Sequence, residues 1–104
     1  MTIPTQLVLT VLLREPSARR YGYDLGREAG LASGTIHPIL ARLESAGWVA
    51  SEWEDEPSIS GRPTRRYYHL TDEGATAAEA AMARISTSRR EIINASVRPI
   101  GGLT

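Results

Sequence analysis

Few side chains of this sequence could do covalent chemistry or bind a metal. The chain has no cysteine, which excludes thiolate nucleophiles, disulfides and thiolate zinc sites. Its two histidines, His37 and His69, are far apart and lack any paired ligand spacing, so we expect ordinary surface histidines. Neither a glycine-rich phosphate loop nor a serine in a nucleophile-elbow context is present. We therefore expect no enzyme, no metal and no cofactor.

Arginine is the side chain that remains for binding. All twelve basic residues are arginines, and twelve acidic residues balance them to a net charge of zero. The planar guanidinium suits phosphate and guanine, but a GC-rich genome would give the same bias, and we give that explanation more weight. Charge is polarised locally, because an acidic run at 52–56 precedes Arg62, Arg65 and Arg66. These arginines either balance that run in solvent or form a basic binding surface.

Two short helices are predicted in the first third of the chain. Residues 4–14 begin with a proline and are apolar on nearly every side, which indicates a buried central helix. Residues 21–29 place Leu25 and Ala29 four apart on one face. Gly30 follows, where a helix C-terminus favours a left-handed residue.

The strongest periodic signal predicts a third helix that starts at the N-cap Ser33 and ends at Gly47. Four aliphatic residues at i, i+3, i+4 and i+7 face inward: Ile36, Ile39, Leu40 and Leu43. The opposite face is made of small or polar residues: Thr35, Pro38, Ala41, Arg42 and Ser45, with His37 on its flank. Pro38 removes one intrahelical hydrogen bond, so we expect a slight kink. Another molecule could lie close against this face.

Residues 48–53 and 65–70 are rich in aromatic and strand-favouring residues, which predicts a β-hairpin with a long loop. A last helix is capped by Thr71 and runs to about Asn94. Its apolar positions keep a 3-4 alternation typical of a helix that packs on another helix. These positions are Ala75, Ala78, Met82, Ile85 and Ile92.

The small core is closed by the earlier elements, so a second copy is the natural partner of the last helix. Packing against its own domain is the alternative. We expect a first domain at 1–70, a dimerisation helix at 71–98 with Ala78, Met82, Ile85 and Ile92 at the interface, and a flexible tail at 99–104.

The order of helix, helix, short turn, helix, hairpin and helix is that of a winged helix-turn-helix, mainly α with a small hairpin. Such domains bind DNA or only other proteins, so residues must decide. Here the sequence resembles the PadR family of bacterial transcriptional regulators, roughly over residues 5–75. The resemblance lies in YGY at 21–23, SGTIHPILARLE at 33–44 with Gly47, GRP at 61–63, RYY at 66–68 and LTDEG at 70–74. It indicates the subgroup with a single C-terminal dimerisation helix.

The resemblance implies that the third helix enters the major groove of double-stranded DNA with its N-terminal part nearest the bases. The DNA-contacting residues expected on this helix are Ser33, Thr35, His37, Pro38 and Arg42. His37 departs from the family pattern, which usually has a tyrosine there. Arg62 is expected in a minor groove, Arg65 and Arg66 on the flanking backbone. Phosphate contacts are expected from the start of the second helix: Arg19, Arg20, Tyr21 and Tyr23.

We thus expect a homodimeric transcriptional repressor on a palindromic operator, acting in the cytoplasm. A protein-interaction adaptor that kept the fold without binding DNA is the alternative. A small-molecule effector of unknown identity is possible, but no aromatic residue follows His69, so the tryptophan pocket of related regulators has no counterpart. No apolar run of about 18 residues and no leader pattern is present, so we expect no membrane association.

Overall fold

The computed structural model describes residues 1–54 and 65–101, and residues 94–101 by their backbone alone. Its elements in chain order are α1 (Ile3–Arg14), β1 (Arg20–Tyr21), α2 (Gly22–Ala29), α3 (Ser33–Ser45), β2 (Val49–Trp53), β3 (Arg66–Leu70) and α4 (Asp72–Gly101). The arrangement confirms the predicted winged helix-turn-helix with a long last helix. Within the described ranges, no helix has both the length and the apolar character needed to cross a membrane.

The helix boundaries follow from local chemistry. The N-cap of α1 is Thr2, whose Oγ1 accepts a hydrogen bond of 3.3 Å from the backbone N–H of Thr5. The residue after α2 is Gly30, with a left-handed φ of 73°, as predicted. The predicted N-cap of α3 was wrong by one residue. Ala32 is the N-cap and makes no side-chain hydrogen bond, while Ser33 is already helical.

The core lies between the first three helices, the sheet and the start of α4. Leu9, Leu12, Leu25 and Leu40 are among its largest fully buried side chains. All four aliphatic residues of the predicted stripe on α3 are also buried there: Ile36, Ile39, Leu40 and Leu43. Burying one such side chain contributes about 1.5–3 kcal/mol, so this stripe fixes which face of α3 points outward.

The sheet has three antiparallel strands in the order β1-β3-β2, one more strand than the predicted hairpin. β2 and β3 pair from Val49 opposite Leu70 to Trp53 opposite Arg66. β1 pairs Arg20 with Tyr68 on the other edge of β3. Two residues are too short to show an alternating pattern, so sequence periodicity could not reveal β1. This strand brings the start of α2 next to the hairpin.

The junction between the hairpin and α4 is closely packed. The backbone N–H of Thr71 donates to the carbonyl oxygen of Trp48 at 3.0 Å, and Thr71 Oγ1 donates to the carbonyl oxygen of Gly47 at 2.7 Å. Thr71 Oγ1 also accepts from the backbone N–H of Gly74 at 2.9 Å, which is the predicted N-cap. Trp48 lies so close to Gly74 that a Cβ at position 74 would overlap its carbonyl group.

The first turns of α4 belong to the core of the winged domain. Ala78 and Ala81 are buried, and Met82 packs against the core from its edge. Ala78 was predicted at the dimer interface, and this was wrong, because its own domain covers it completely. The helix also continues to Gly101, past the predicted end near Asn94 and into the segment predicted as a tail.

Candidate nucleic-acid interface

The outward face of α3 is open to solvent. Its exposed residues include all five predicted for DNA contact, together with Gly34, Ala41 and Ser45; the five are Ser33, Thr35, His37, Pro38 and Arg42. They lie opposite the buried aliphatic stripe, so the helix presents one apolar and one polar side. This face therefore has the amphipathic orientation that the sequence predicted.

His37 lies against the start of α2. A Cβ built at Gly22 would be only 3.1 Å from His37 Cε1 and 3.4 Å from Tyr68 Cε1, so a side chain at position 22 would require the His37 ring to shift by a few tenths of an ångström. Here α2, α3 and β3 enclose an open cleft of about 540 Å³. The cleft is lined by Tyr21, Gly22, Tyr23, Asp24, His37, Arg65, Arg66 and Tyr68. The structure thus brings five predicted contact residues into one concave surface.

A hydrogen-bonded cluster ties the loop end of the hairpin to the start of α2. The rings of Tyr21 and Tyr67 stack with centroids 4.5 Å apart, and their hydroxyl oxygens are 2.9 Å apart. Tyr21 Oη also donates to Glu54 Oε2 at 3.3 Å. The hydrogen bond with Tyr67, burial and the nearby Glu54 carboxylate raise the pKa of Tyr21 above its ordinary value.

Glu54 connects this cluster to Arg65. Glu54 Oε1 accepts from the backbone N–H of Arg65 at 2.7 Å, and the backbone N–H of Glu54 donates to the carbonyl oxygen of Arg65 at 2.9 Å. The Arg65 guanidinium lies over the Tyr21 ring, 4.7 Å from its centroid. Glu54, which follows β2, and Arg65, which precedes β3, are therefore held next to each other.

Arg66 is tied to the last turn of α3. Its Nε donates to Ser51 Oγ at 2.9 Å, and its Nη2 is 3.5 Å from Glu44 Oε2. Ser51 Oγ in turn donates to Glu44 Oε2 at 2.5 Å. The guanidinium also lies near the rings of Trp53 and Tyr68. Arg66 thus connects both strands of the hairpin to α3.

The arginines predicted to contact DNA differ in their internal partners. Arg20 forms an ion pair with Glu28 and its side chain is only 14% exposed. Arg19 pairs with Glu52 at 3.5 Å in a more exposed setting. Within residues 1–54 and 65–93, no carboxylate lies within ion-pair distance of the Arg42 or Arg65 guanidinium. Arg62 lies outside the described residues.

Sequence reasoning missed several residues that shape this surface. Glu44, Glu54 and Tyr67 were not singled out, since their partners are distant in sequence and joined only by the sheet. Gly22, whose missing side chain lets His37 approach α2, was visible only as part of the YGY motif.

Among the described residues there is no group of three or more side chains suited to hold a metal ion.

A family model matches most of this chain. The model of the "Transcriptional regulator PadR-like family" covers residues 8–80, which include the helix-turn-helix, the hairpin and the first turns of α4. The chain belongs to the PadR-like family of transcriptional regulators. The predicted resemblance is thereby confirmed. Among curated proteins, none matches the sequence.

Solved structures share the fold of this PadR-like regulator. The protein smu.1704 of Streptococcus mutans UA159 is 26% identical, with a TM-score of 0.71, over 90% of this chain and 86% of that one. A PadR family transcription regulator of Clostridium difficile R20291 is 24% identical, with a TM-score of 0.64, over 95% and 98% of the two chains. A PadR-like transcription factor of Bacteroides fragilis is 27% identical, with a TM-score of 0.60, over 92% and 87%.

The PadR-like regulator also has an exposed apolar surface away from α3. Gln6 Oε1 on α1 accepts from Arg89 Nη2 on α4 at 3.1 Å, so the two helices lie side by side at this level. The large exposed hydrophobic residues on these helices are Ile3 and Leu7 on α1 and Ile92 and Ile93 on α4. Ile85 is half-buried.

Proposed function

We propose that this PadR-like regulator is a homodimeric repressor that reads a palindromic operator by inserting α3 into the major groove. The observation that carries the proposal is the open outer face of α3, opposite its buried aliphatic stripe. The major groove of DNA is about 12 Å wide, so a helix can enter it only if no other part of the protein covers the outer face of that helix. Thr35 and His37, in the first turns of α3, are the residues we assign to base edges, with Ser33 and Pro38 against the backbone.

Arg42 and Arg65 supply the electrostatic part of this interface. An arginine already paired with a carboxylate must break that pair before it can neutralise a phosphate, so its net contribution is smaller. Arg19, Arg20 and Arg66 have such partners, whereas Arg42 and Arg65 have none in the described part of the chain. We retain Arg62 as a minor-groove contact, on the sequence argument alone.

The second copy is proposed to pack against α4 and the adjacent start of α1. Large apolar side chains exposed on two neighbouring helices are typical of an interaction site. Ile92 and Ile93 are 67% and 60% exposed, and Ile3 is 57% exposed. A two-fold dimer places its two α3 helices about one DNA turn apart or a small multiple of it, which matches a palindromic site. An effector that changed the angle of α4 would change this spacing and release the operator.

Selection of bound sequences from random duplex DNA, with the purified protein, tests the function. We expect enrichment of a palindromic motif and affinity that falls steeply with salt, with a logarithmic slope of about 0.9 per phosphate contact. No enrichment, together with salt-independent weak binding, would support the adaptor function instead.

The variant Arg42→Ala tests whether Arg42 contacts a DNA phosphate. It should weaken binding and reduce the salt slope by about one, without a change in thermal stability. Arg84→Ala removes the same charge from an exposed position on α4 and serves as the control, with the slope of the parent. Equal slopes for both variants would contradict the assigned role of Arg42.

A further inference from the structure

We propose that Tyr21 is a positioning residue, not a DNA contact: through Glu54 it fixes the loop end of the hairpin to the start of α2 and so directs Arg65 toward the DNA backbone. The DNA side of this inference rests on the proposed function. The clamp, by which we mean the hydrogen bonds that link Tyr21, Glu54 and Arg65, is present in the protein without DNA. Sequence reasoning had assigned Tyr21 to a phosphate.

The hydroxyl of Tyr21 is already engaged inside the protein. It lies 2.9 Å from Tyr67 Oη and donates to Glu54 Oε2 at 3.3 Å. A hydroxyl has one proton to donate, so the bond to Glu54 leaves none for a phosphate oxygen. Tyr23 offers a contrast two residues later, since its side chain is 72% exposed.

Glu54 links Tyr21 to Arg65 by hydrogen bonds. Its Oε2 accepts from Tyr21, and its Oε1 accepts from the backbone N–H of Arg65 at 2.7 Å. One carboxylate therefore bridges the start of α2 and the residue that leads into the returning strand. Carboxylate hydrogen bonds are among the stronger ones in proteins, so the bridge restrains the loop end of the hairpin relative to the helix-turn-helix.

The orientation of Arg65 follows from the same cluster. Its guanidinium stacks over the Tyr21 ring at 4.7 Å, and no described carboxylate pairs with it. A side chain held by stacking loses less freedom when it binds a phosphate than one that moves freely. The stack also keeps the charge at the mouth of the cleft that His37 borders.

Tyr21→Phe tests the clamp because it keeps the ring and its stacking while it removes both hydroxyl contacts. We expect hydrogen exchange, followed by NMR, to speed up about tenfold at the backbone amides of Glu54 and Arg65. The amide of Leu25 in the core should be unchanged. Glu54→Gln, which keeps an acceptor but loses the charge, should give a smaller increase. Tyr23→Phe is the matched control and should leave these amides as in the parent.

A double-mutant cycle with Arg65 tests the link to DNA. We expect Tyr21→Phe to weaken DNA binding about fivefold in the parent and to have no further effect in an Arg65→Ala background. Full additivity of the two losses, or unchanged exchange at Glu54 and Arg65 in Tyr21→Phe, would overturn the proposal. If the parent bound no DNA, the proposed function would fail, while the exchange measurement would still decide whether the clamp exists.

Discussion

Replacing Gly74 with alanine is expected to disrupt the junction between the hairpin and α4. An added Cβ would overlap the carbonyl group of Trp48, which is backbone and cannot rotate away as a flexible side chain does. The overlap can be relieved only by moving α4 away from the end of α3. This movement would stretch the hydrogen bonds that Thr71 makes to the carbonyl oxygens of Gly47 and Trp48.

The size of the effect follows from these contacts. Overpacking a close contact destabilises by about 1–3 kcal/mol, and each weakened hydrogen bond adds about 1 kcal/mol. We expect Gly74→Ala to lower the free energy of unfolding by about 3 kcal/mol. For a domain of this size, that corresponds to a fall in Tm of roughly 15 °C. The measurement is thermal unfolding followed by circular dichroism at a fixed protein concentration, since the proposed dimerisation would make Tm depend on concentration.

Gly34→Ala provides the control within the same protein. Gly34 lies on the exposed side of α3, and a Cβ there meets no atom within 4 Å. Alanine favours a helix over glycine by up to about 1 kcal/mol, so this variant should be as stable as the parent or slightly more stable. If Gly74→Ala unfolded at the same temperature as Gly34→Ala, the close contact between α4 and Trp48 would be refuted.

Three further outcomes are expected. Gly22→Ala should displace His37, because the new Cβ would be 3.1 Å from His37 Cε1. Its DNA affinity, measured by fluorescence anisotropy, should fall, while its Tm in thermal unfolding should change little. Ile93→Glu should convert a dimer to a monomer in sedimentation velocity, since it places a charge on the exposed apolar surface; a variant that stays dimeric would contradict that interface. The raised pKa of Tyr21 predicts that its hydrogen bonds stabilise the fold fully below pH 10.0 and that this stabilisation is lost as pH rises through the raised pKa. Ultraviolet absorbance at alkaline pH should therefore show one tyrosine that ionises later than the others, and Tyr21→Phe should remove it.

Most of the fold could be predicted because its helices have strong local signals. The aliphatic stripe of α3 has an unambiguous helical period, and Gly30 supplies the left-handed residue that ends α2. What could not be predicted depended on contacts between distant residues. The two-residue strand β1 exists only because Arg20 and Tyr21 meet β3. Ala78 fits both a dimer seam and a domain core in sequence, and only the packed structure places it in the core.

The site was predicted less completely than the fold, for a related reason. Residues on α3 could be assigned to the open face, because the helical period determines the direction of each side chain. The arginines could not be separated in this way, since all carry the same charge in the sequence. The structure distinguishes them by partner: Arg20 is paired with Glu28 and mostly buried, while Arg42 is exposed with no described carboxylate beside it.

The zero net charge of the chain is compatible with DNA binding, because screening limits each charge to a range of about 8–10 Å in physiological salt. What matters is which charges lie close to the bound phosphates. Two carboxylates next to the arginines of the cleft are engaged within the protein: Glu44 accepts from Ser51 and Arg66, and Glu54 accepts from Tyr21 and Arg65. These acidic residues order the hairpin and its arginines. Their removal would therefore raise the positive charge of the surface and still weaken the proposed sequence-specific binding to DNA, since the arginines would lose their fixed positions.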